Sequence, residues 1–205
     1  RIRRREYRGG RRYLGDPHVR CLLCQTPSEN VARHRDRDVY RCPECQLAFL
    51  DPGHHVTNAE ARAEYLLHDN TMECRGYVRM FEKKIATLGE HCTGISSVLD
   101  YGCGPGPVLV ELLRRGGYDA YGYDPMFFAD ADLERTYDCV ISTEVFEHFM
   151  DPAAEFPKVH RLVKPGGILA IMTLHHDDGT DLSTWWYLNV PSHVVFYSSR
   201  TFEWI

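Results

Sequence analysis

The sequence predicts an α/β protein with a mostly parallel sheet and a small metal-binding module near its N-terminal end. Three observations support this prediction. An apolar run at 98–101 breaks into a glycine-rich turn at 102–106, and a helical pattern follows at once. A second apolar run, 118–123, ends in Asp124, and two Cys-x-x-Cys pairs lie far upstream. A strand, a tight turn, a helix and a second strand in this order are typical of an open α/β sheet.

The composition is that of one globular core with a small appended module. The chain has 205 residues, of which 43% are hydrophobic, and a formal net charge of −5. Neither a run of about eighteen apolar residues nor the apolar stretch of a signal peptide is present. We therefore expect a cytoplasmic protein without a membrane partner.

The segment 1–20 forms a basic tail, because eight of its residues are arginines. A basic arm of this kind can contact nucleic-acid phosphates. We favour a solvated tail over that interpretation, since blocks of like charge commonly stay solvated.

Two cysteine pairs predict a zinc site. Cys21 and Cys24 form the first pair, Cys42 and Cys45 form the second, and seventeen residues separate the two pairs. This spacing suits two knuckles that fold over one tetrahedral thiolate site. The segment 21–50 has little apolar content, so a metal must supply much of its folding free energy. We predict a zinc ribbon over 21–50 whose four protein ligands give the metal a structural role.

The segment 51–92 is predicted to be a helical linker or lid. Helical patterns cover about 59–67 and 75–88. Three ring-bearing residues of this segment can face a cofactor or substrate, or can simply pack the linker onto the core, which is the interpretation we favour. These residues are Tyr65, His68 and Tyr77.

The glycine-rich turn has the chemistry of a ligand site. Its three glycines permit positive φ and let a ligand lie against bare backbone, while the helix that follows directs unpaired N–H groups toward it. The carboxylate of Asp124 suits a ribose diol, because each ribose hydroxyl can donate a hydrogen bond to it.

The turn and two later segments resemble a known family. Residues 100–106 read D-x-G-x-G-x-G, whereas dinucleotide sites use G-x-G-x-x-G, and this spacing resembles motif I of class I S-adenosylmethionine-dependent methyltransferases. Segments 137–142 and 162–171 are similar to strand 4 of that family and to its turn into strand 5. The resemblance implies a Rossmann-like core over 93–205, with the glycines around the methionine part of the cofactor and an aspartate on its ribose. The cofactor-binding residues it implies are Asp100, Gly102, Gly104, Gly106 and Asp124.

The sequence departs from that family in two places. Only twelve residues separate Asp124 from Tyr137, too few for the usual helix and third strand. The sequence also stops before the hairpin of strands 6 and 7 that normally follows strand 5, so either it is a fragment or its sheet is unusually small. We expect a sheet without a full strand 3 or that hairpin, which leaves strand 5 as an edge where a second copy can pair.

A second group of polar residues follows strand 4. Glu144, Glu147 and His148 are spaced i, i+3 and i+4, so on a helix they share one face beyond the carboxyl end of the strand. We expect a short helix here that ends at Asp151 and Pro152. Two carboxylates that converge repel each other unless a cation or substrate hydroxyls intervene. The pattern therefore favours a divalent metal.

A later histidine extends this group by resemblance. Residues 191–202 place His193 before a short apolar run and a capped helix start. Glu-x-x-Glu-His followed by such a stretch is similar to small-RNA 3′-terminal 2′-O-methyltransferases and to ubiquinone-pathway O-methyltransferases, in which these residues surround a divalent cation. The resemblance implies a divalent cation, usually magnesium, at Glu144, Glu147, His148 and His193. Two imidazoles among the ligands make manganese, iron or cobalt competitors of magnesium, which prefers oxygen ligands. The alternative is that Glu144 or His148 acts as a general base without a metal.

Two further groups lie at this end of the sheet. His175 and His176 follow strand 5, and we predict a solvated loop there because adjacent extended residues point to opposite faces. Trp185, Trp186 and Tyr187 either wall an apolar acceptor pocket or bury themselves, and both interpretations stay open.

The sequence thus predicts a S-adenosylmethionine-dependent methyltransferase that methylates an oxygen of a small molecule, or of an RNA end, with help from a divalent metal. A small-molecule acceptor is favoured. One alternative is a carbon methyltransferase acting on a nucleotide sugar, since those enzymes also carry an N-terminal zinc module. Another is a nucleic-acid-binding regulator with a degenerate core, against which the intact turn at 100–106 and Asp124 argue.

Overall fold

The computed structural model describes residues 19–67 and 70–205. Most of the predicted basic tail and His68 therefore lie outside the described residues. Two sheets of four strands each organise the described part of the chain.

One sheet is antiparallel and carries the cysteine module. Its first three strands are β1 (Glu29–His34), β2 (Arg37–Arg41) and β3 (Ala48–Leu50). The fourth strand, β8 (Val195–Phe196), comes from the far end of the chain and pairs with β3. Residues of the predicted core thus complete a sheet that begins in the predicted ribbon.

The other sheet is parallel and has the strand order β5-β4-β6-β7. This arrangement confirms the predicted Rossmann-like α/β fold. Within 19–67 and 70–205 no strand lies between β5 and β6 along the chain, and β7 forms one edge of the sheet. The strands are β4 (Ser97–Tyr101), β5 (Asp119–Tyr123), β6 (Tyr137–Thr143) and β7 (Val163–Met172).

Five helices join or flank these strands in the described residues. The two predicted in the linker are present, and the side chain of Thr57 caps the first of them by accepting a hydrogen bond from Glu60 N. None of the helices in the described ranges is both long and apolar enough to cross a membrane. The helices are α1 (Asn58–Tyr65), α2 (Arg75–His91), α3 (Val108–Arg115), α4 (Pro152–Arg161) and α5 (Ser199–Trp204).

The prediction of a helix that carries Glu144 is wrong. Glu144 has a left-handed φ of +53°, and Phe146–His148 form a single 3-10 turn. Asp151 and Pro152 begin α4 rather than end a helix. Asp151 Oδ1 accepts a hydrogen bond from Ala154 N at 3.1 Å, and proline suits the first helical position because no N–H donor is needed there.

The two sheets share one apolar cluster. Leu47 and Phe49 of the cysteine module are buried in it together with Phe146 and Tyr197. The cysteine module is therefore packed directly against the segments that follow β6 and precede α5.

Candidate functional site

A cavity of about 980 Å³ opens beyond the carboxyl ends of β4, β5 and β6. Residues of α1, α2, α4 and the segment 186–193 also line it. Open α/β sheets bind their ligands at this end of the strands. The cavity is therefore the candidate active site.

The glycine turn after β4 is held against the end of β5. Gly102 N and Cys103 N both donate to Tyr123 O, at 2.7 and 3.0 Å. Gly102 has a φ of +85°, and a Cβ at this position would collide with Val145, so only glycine fits. A Cβ on Gly106 would collide with the main chain of the segment that follows α1, which lies directly over the turn.

Asp124 is fixed in orientation by main-chain donors. Gly104 N donates to its Oδ2 at 3.1 Å, while Met126 N and Phe127 N donate to its Oδ1 at 2.8 and 3.2 Å. The side chain is buried and still lines the cavity. Its carboxylate is therefore oriented before any ligand arrives.

The five predicted cofactor residues divide into two groups. Gly102, Gly104 and Asp124 line the cavity, whereas Asp100 and Gly106 do not. Burial, together with the nearby charge of Asp124, raises the pKa of Asp100 to about 7.

Three of the four predicted metal ligands lie together beside the cavity. The ligand atoms of Glu147, His148 and His193 are all within 4.8 Å of one another. Glu147 is fully buried, and its Oε1 lies 4.0 Å from His193 Nε2. Val194 N donates to Glu147 O at 2.9 Å, which joins the segment before β8 to the 3-10 turn after β6.

Hydrogen bonds fix the tautomer of both histidines. His148 Nδ1 lies 3.0 Å from Ser192 O, and His193 Nδ1 lies 3.0 Å from Tyr187 O. A carbonyl oxygen can only accept, so Nδ1 carries the proton in each ring and Nε2 is the lone-pair nitrogen. Metal-binding histidines are commonly held in this way.

Glu144 lies outside this cluster, and the Tyr187 hydroxyl contacts both Glu144 and the cluster. The Tyr187 hydroxyl lies 2.6 Å from Glu147 Oε1 and 3.0 Å from Glu144 Oε2. Burial and the charge of Glu147 raise the pKa of Glu144 to about 7. Glu147 Oε2 is buried without a hydrogen-bond partner in the described structure. An orphaned carboxylate oxygen beside two imidazoles fits a divalent cation.

The aromatic residues near the site differ in exposure and in what they contact. Trp186 is 62% exposed at the cavity wall, whereas Tyr187 is buried with its hydroxyl on the two glutamates. Tyr65 and Tyr77 both line the cavity, and the ring of Tyr65 meets His148 edge-on at 5.2 Å. No sequence pattern distinguished Tyr187 from Trp185 and Trp186, and its position six residues before His193 was the available signal.

The solvated loop predicted for His175 and His176 is wrong in part. His176 is buried, and its Nε2 lies 3.0 Å from Gln46 O in the cysteine module. The ring of His175 stacks on Phe202 at 5.2 Å. Contacts with the module thus bury His176, whereas His175 stays exposed beside α5 as predicted.

The four cysteines of the N-terminal module also converge. Their sulfur atoms lie within 4.8 Å of one another, with Cys21 Sγ 3.5 Å from Cys45 Sγ and Cys24 Sγ 3.4 Å from Cys42 Sγ. The hydrogen bond between Cys21 and Cys45 lowers the pKa of the Cys21 thiol to about 5 and raises the pKa of the Cys45 thiol, so Cys21 is the thiolate of this pair. The cluster is compatible with a four-coordinate zinc ion.

Known proteins similar to this chain are methyltransferases. The family model described as a methyltransferase domain matches residues 50–205. Ubiquinone biosynthesis O-methyltransferases from Bradyrhizobium diazoefficiens and Acinetobacter baylyi are 29% and 28% identical, over 50% and 53% of this chain and 50% and 57% of the relatives. The chain spans about half the length of these curated relatives. A crystal structure of coclaurine N-methyltransferase bound to N-methylheliamine and SAH matches 60% of this chain and 46% of that chain at 19% identity, with a TM-score of 0.39.

Proposed function

Since this chain belongs to the methyltransferase domain family, we propose that it transfers the methyl group of S-adenosylmethionine to a hydroxyl oxygen of a small aromatic molecule, assisted by a divalent cation. The observation that carries this proposal is the cluster of Glu147, His148 and His193 beside the cavity that Asp124 lines. The names of the curated relatives also favour an oxygen acceptor.

The cofactor end of the cavity supports the methyl donor. The Asp124 carboxylate, fixed by three main-chain donors, is placed to accept the ribose hydroxyls. Gly102 and Gly104 present bare backbone to the same cavity, where the methionine part would lie. S-adenosylmethionine would supply the sulfonium methyl group.

The glutamate and histidine cluster supports activation of a hydroxyl. Glu147, His148 and His193 would hold the cation, which when bound lowers the pKa of a chelated hydroxyl and orients it for in-line attack. Glu144 lines the cavity but stays outside the ligand cluster. Its carboxylate would accept the proton that the acceptor hydroxyl loses.

The lining of the cavity favours a small aromatic acceptor over RNA. Tyr65 and Trp186 offer ring faces and edges near the histidines. The lysine and arginine among the described lining residues, Lys158 and Arg161, both belong to α4, while α1, α2 and the segment 186–193 contribute none. RNA phosphates would need cations along the acceptor side.

The proposal is tested with crystals of the zinc-loaded protein soaked in manganese and S-adenosylhomocysteine, by anomalous scattering at the manganese edge. We compare wild type with Glu147→Gln and with Glu155→Gln, a matched control whose carboxylate lines the same cavity and accepts from Tyr101 Oη at 3.2 Å. We expect a manganese peak at the cluster in wild type and in the control, and none in Glu147→Gln. Protein that binds both manganese and the cofactor product is then assayed with catechols and with RNA 3′ ends.

An empty cluster in wild type beside well-bound S-adenosylhomocysteine would overturn the cation's role. The search would then move to a general base at Glu144 or His148, or to carbon methylation. A manganese peak that persists in Glu147→Gln would instead overturn the assignment of that ligand.

A further inference from the structure

One tyrosine contacts two of the three residues of the candidate metal cluster, Glu147 and His193. Tyr187 lies in the short 3-10 turn Trp186–Asn189 and leaves only 2% of its surface exposed. Its hydroxyl reaches the acidic residues after β6, and its main-chain carbonyl reaches His193.

The Tyr187 hydroxyl contacts the carboxylates of Glu147 and Glu144. Its distance of 2.6 Å to Glu147 Oε1 is short, as expected for a hydroxyl that donates to a charged carboxylate. A hydroxyl has one proton, so Glu144 at 3.0 Å competes for the same donor. Holding Oε1 leaves Glu147 Oε2, the buried oxygen without a hydrogen-bond partner, as the atom available to a cation.

The main-chain carbonyl of Tyr187 orients the imidazole of His193. Tyr187 O accepts from His193 Nδ1 at 3.0 Å and so fixes Nε2 as the lone-pair nitrogen. The two rings are also in edge contact, with centroids 4.2 Å apart. The orientation of His193 thus depends on where Tyr187 is held.

Tyr187 is itself held by its neighbours. Its ring packs against Trp185 at 5.3 Å and Phe196 at 6.2 Å, and Thr173 Oγ1 lies 3.4 Å from its hydroxyl. A side chain locked by packing and hydrogen bonds can transmit a fixed geometry to the groups it touches.

We propose that Tyr187 is a positioning residue that sets the geometry of Glu147 and His193 toward a divalent cation, the hydroxyl acting on the carboxylate and the main-chain carbonyl on the imidazole. This inference rests on the proposed function, because it presumes that the cluster binds a cation. Residues that orient metal ligands typically change metal affinity about 10- to 100-fold when removed.

The test compares manganese binding in zinc-loaded wild type, Tyr187→Phe and Tyr197→Phe, using electron paramagnetic resonance. Tyr187→Phe keeps the ring packing and the carbonyl bond to His193 and removes only the hydroxyl. Tyr197→Phe is the matched control, because it removes another fully buried hydroxyl whose recorded acceptor is the main-chain oxygen of Phe146 at 3.1 Å. The affinity for S-adenosylhomocysteine is measured by calorimetry on the same samples.

We expect Tyr187→Phe to weaken manganese binding about 10- to 100-fold and to alter the spectrum of the bound ion. The control should keep the wild-type affinity and spectrum, and all three proteins should bind S-adenosylhomocysteine equally. Unchanged manganese binding in Tyr187→Phe, or an equal loss in both variants, would overturn the positioning role alone. Wild type that binds S-adenosylhomocysteine but no manganese would overturn the cation proposal and this inference with it.

Discussion

The two candidate metal sites of this chain differ in how they are assembled and in what they leave open. The four cysteines come from two knuckles of one small module and offer four ligands of one kind. The cluster of Glu147, His148 and His193 joins segments on either side of β7, offers mixed ligands, and lies beside a large cavity. A closed set of four protein ligands suits a structural ion, whereas an incomplete set next to a cavity suits chemistry.

The first prediction concerns how much the cysteine site contributes to the stability of the fold. We expect Cys42→Ser to lose zinc and to lower the free energy of unfolding by about 4 kcal/mol, because the metal supplies much of the module's folding free energy. Zinc content and denaturant unfolding measure both quantities. Cys74→Ser, at a half-buried cysteine outside the cluster, is the control and should keep its zinc. Full zinc content in Cys42→Ser would contradict the comparison.

The second prediction concerns the open site. His193→Ala should weaken manganese binding about 100-fold, since even the loss of an outer-shell partner costs 10- to 100-fold. His176→Ala also removes a buried imidazole, but one that contacts Gln46 O in the cysteine module. Titration of manganese by electron paramagnetic resonance should show wild-type affinity for this control. Equal affinities in the two variants would remove His193 from the ligand set.

The third prediction concerns how the stability of the folded protein changes with pH. Burial raises the pKa of Asp100 to about 7 from an ordinary value of 3.8, so the folded protein binds this proton more tightly than the unfolded chain does. Asp100 therefore costs stability as the pH rises from about 4 to about 7. Cysteine thiolates that hold zinc would respond in the opposite sense, because acid protonates them.

Asp100→Asn should remove the loss of stability that the Asp100 carboxyl causes as the pH rises. Thermal unfolding without cofactor at pH 5 and pH 8 measures it, and we expect the variant to gain more over wild type at pH 8 than at pH 5. An equal gain at both pH values would mean that the Asp100 carboxyl has an ordinary pKa in the folded protein.

The same contrast explains what the sequence could predict. The cysteine site follows from two local motifs and a spacing, so it needs no knowledge of distant contacts. The glycine turn and Asp124 are equally local, because each lies at the end of a strand with a clear apolar pattern. Glu147 and His148 of the second cluster were also predicted, but from an i, i+3, i+4 spacing on a helix that does not form, and His193 was predicted from the family resemblance.

What the sequence could not predict depends on long-range packing. The left-handed Glu144 replaces the expected helix, and the Tyr187 hydroxyl joins Glu144 to Glu147 of the cluster. The pairing of β3 with β8 involves a strand of two residues, too short for any periodicity to reveal it. The burial of His176 follows from the same packing of the cysteine module on the core.

The pairing of β3 with β8 also sets an order of events during synthesis. The cysteine knuckles leave the ribosome early and can capture zinc, yet the strand that covers the free edge of β3 emerges almost 150 residues later. Until then β3 presents an open row of hydrogen-bonding groups, which is a site for wrong pairing. His193 precedes β8 by only two residues, so cation binding at the second site would report that the chain has been made and folded through Phe196.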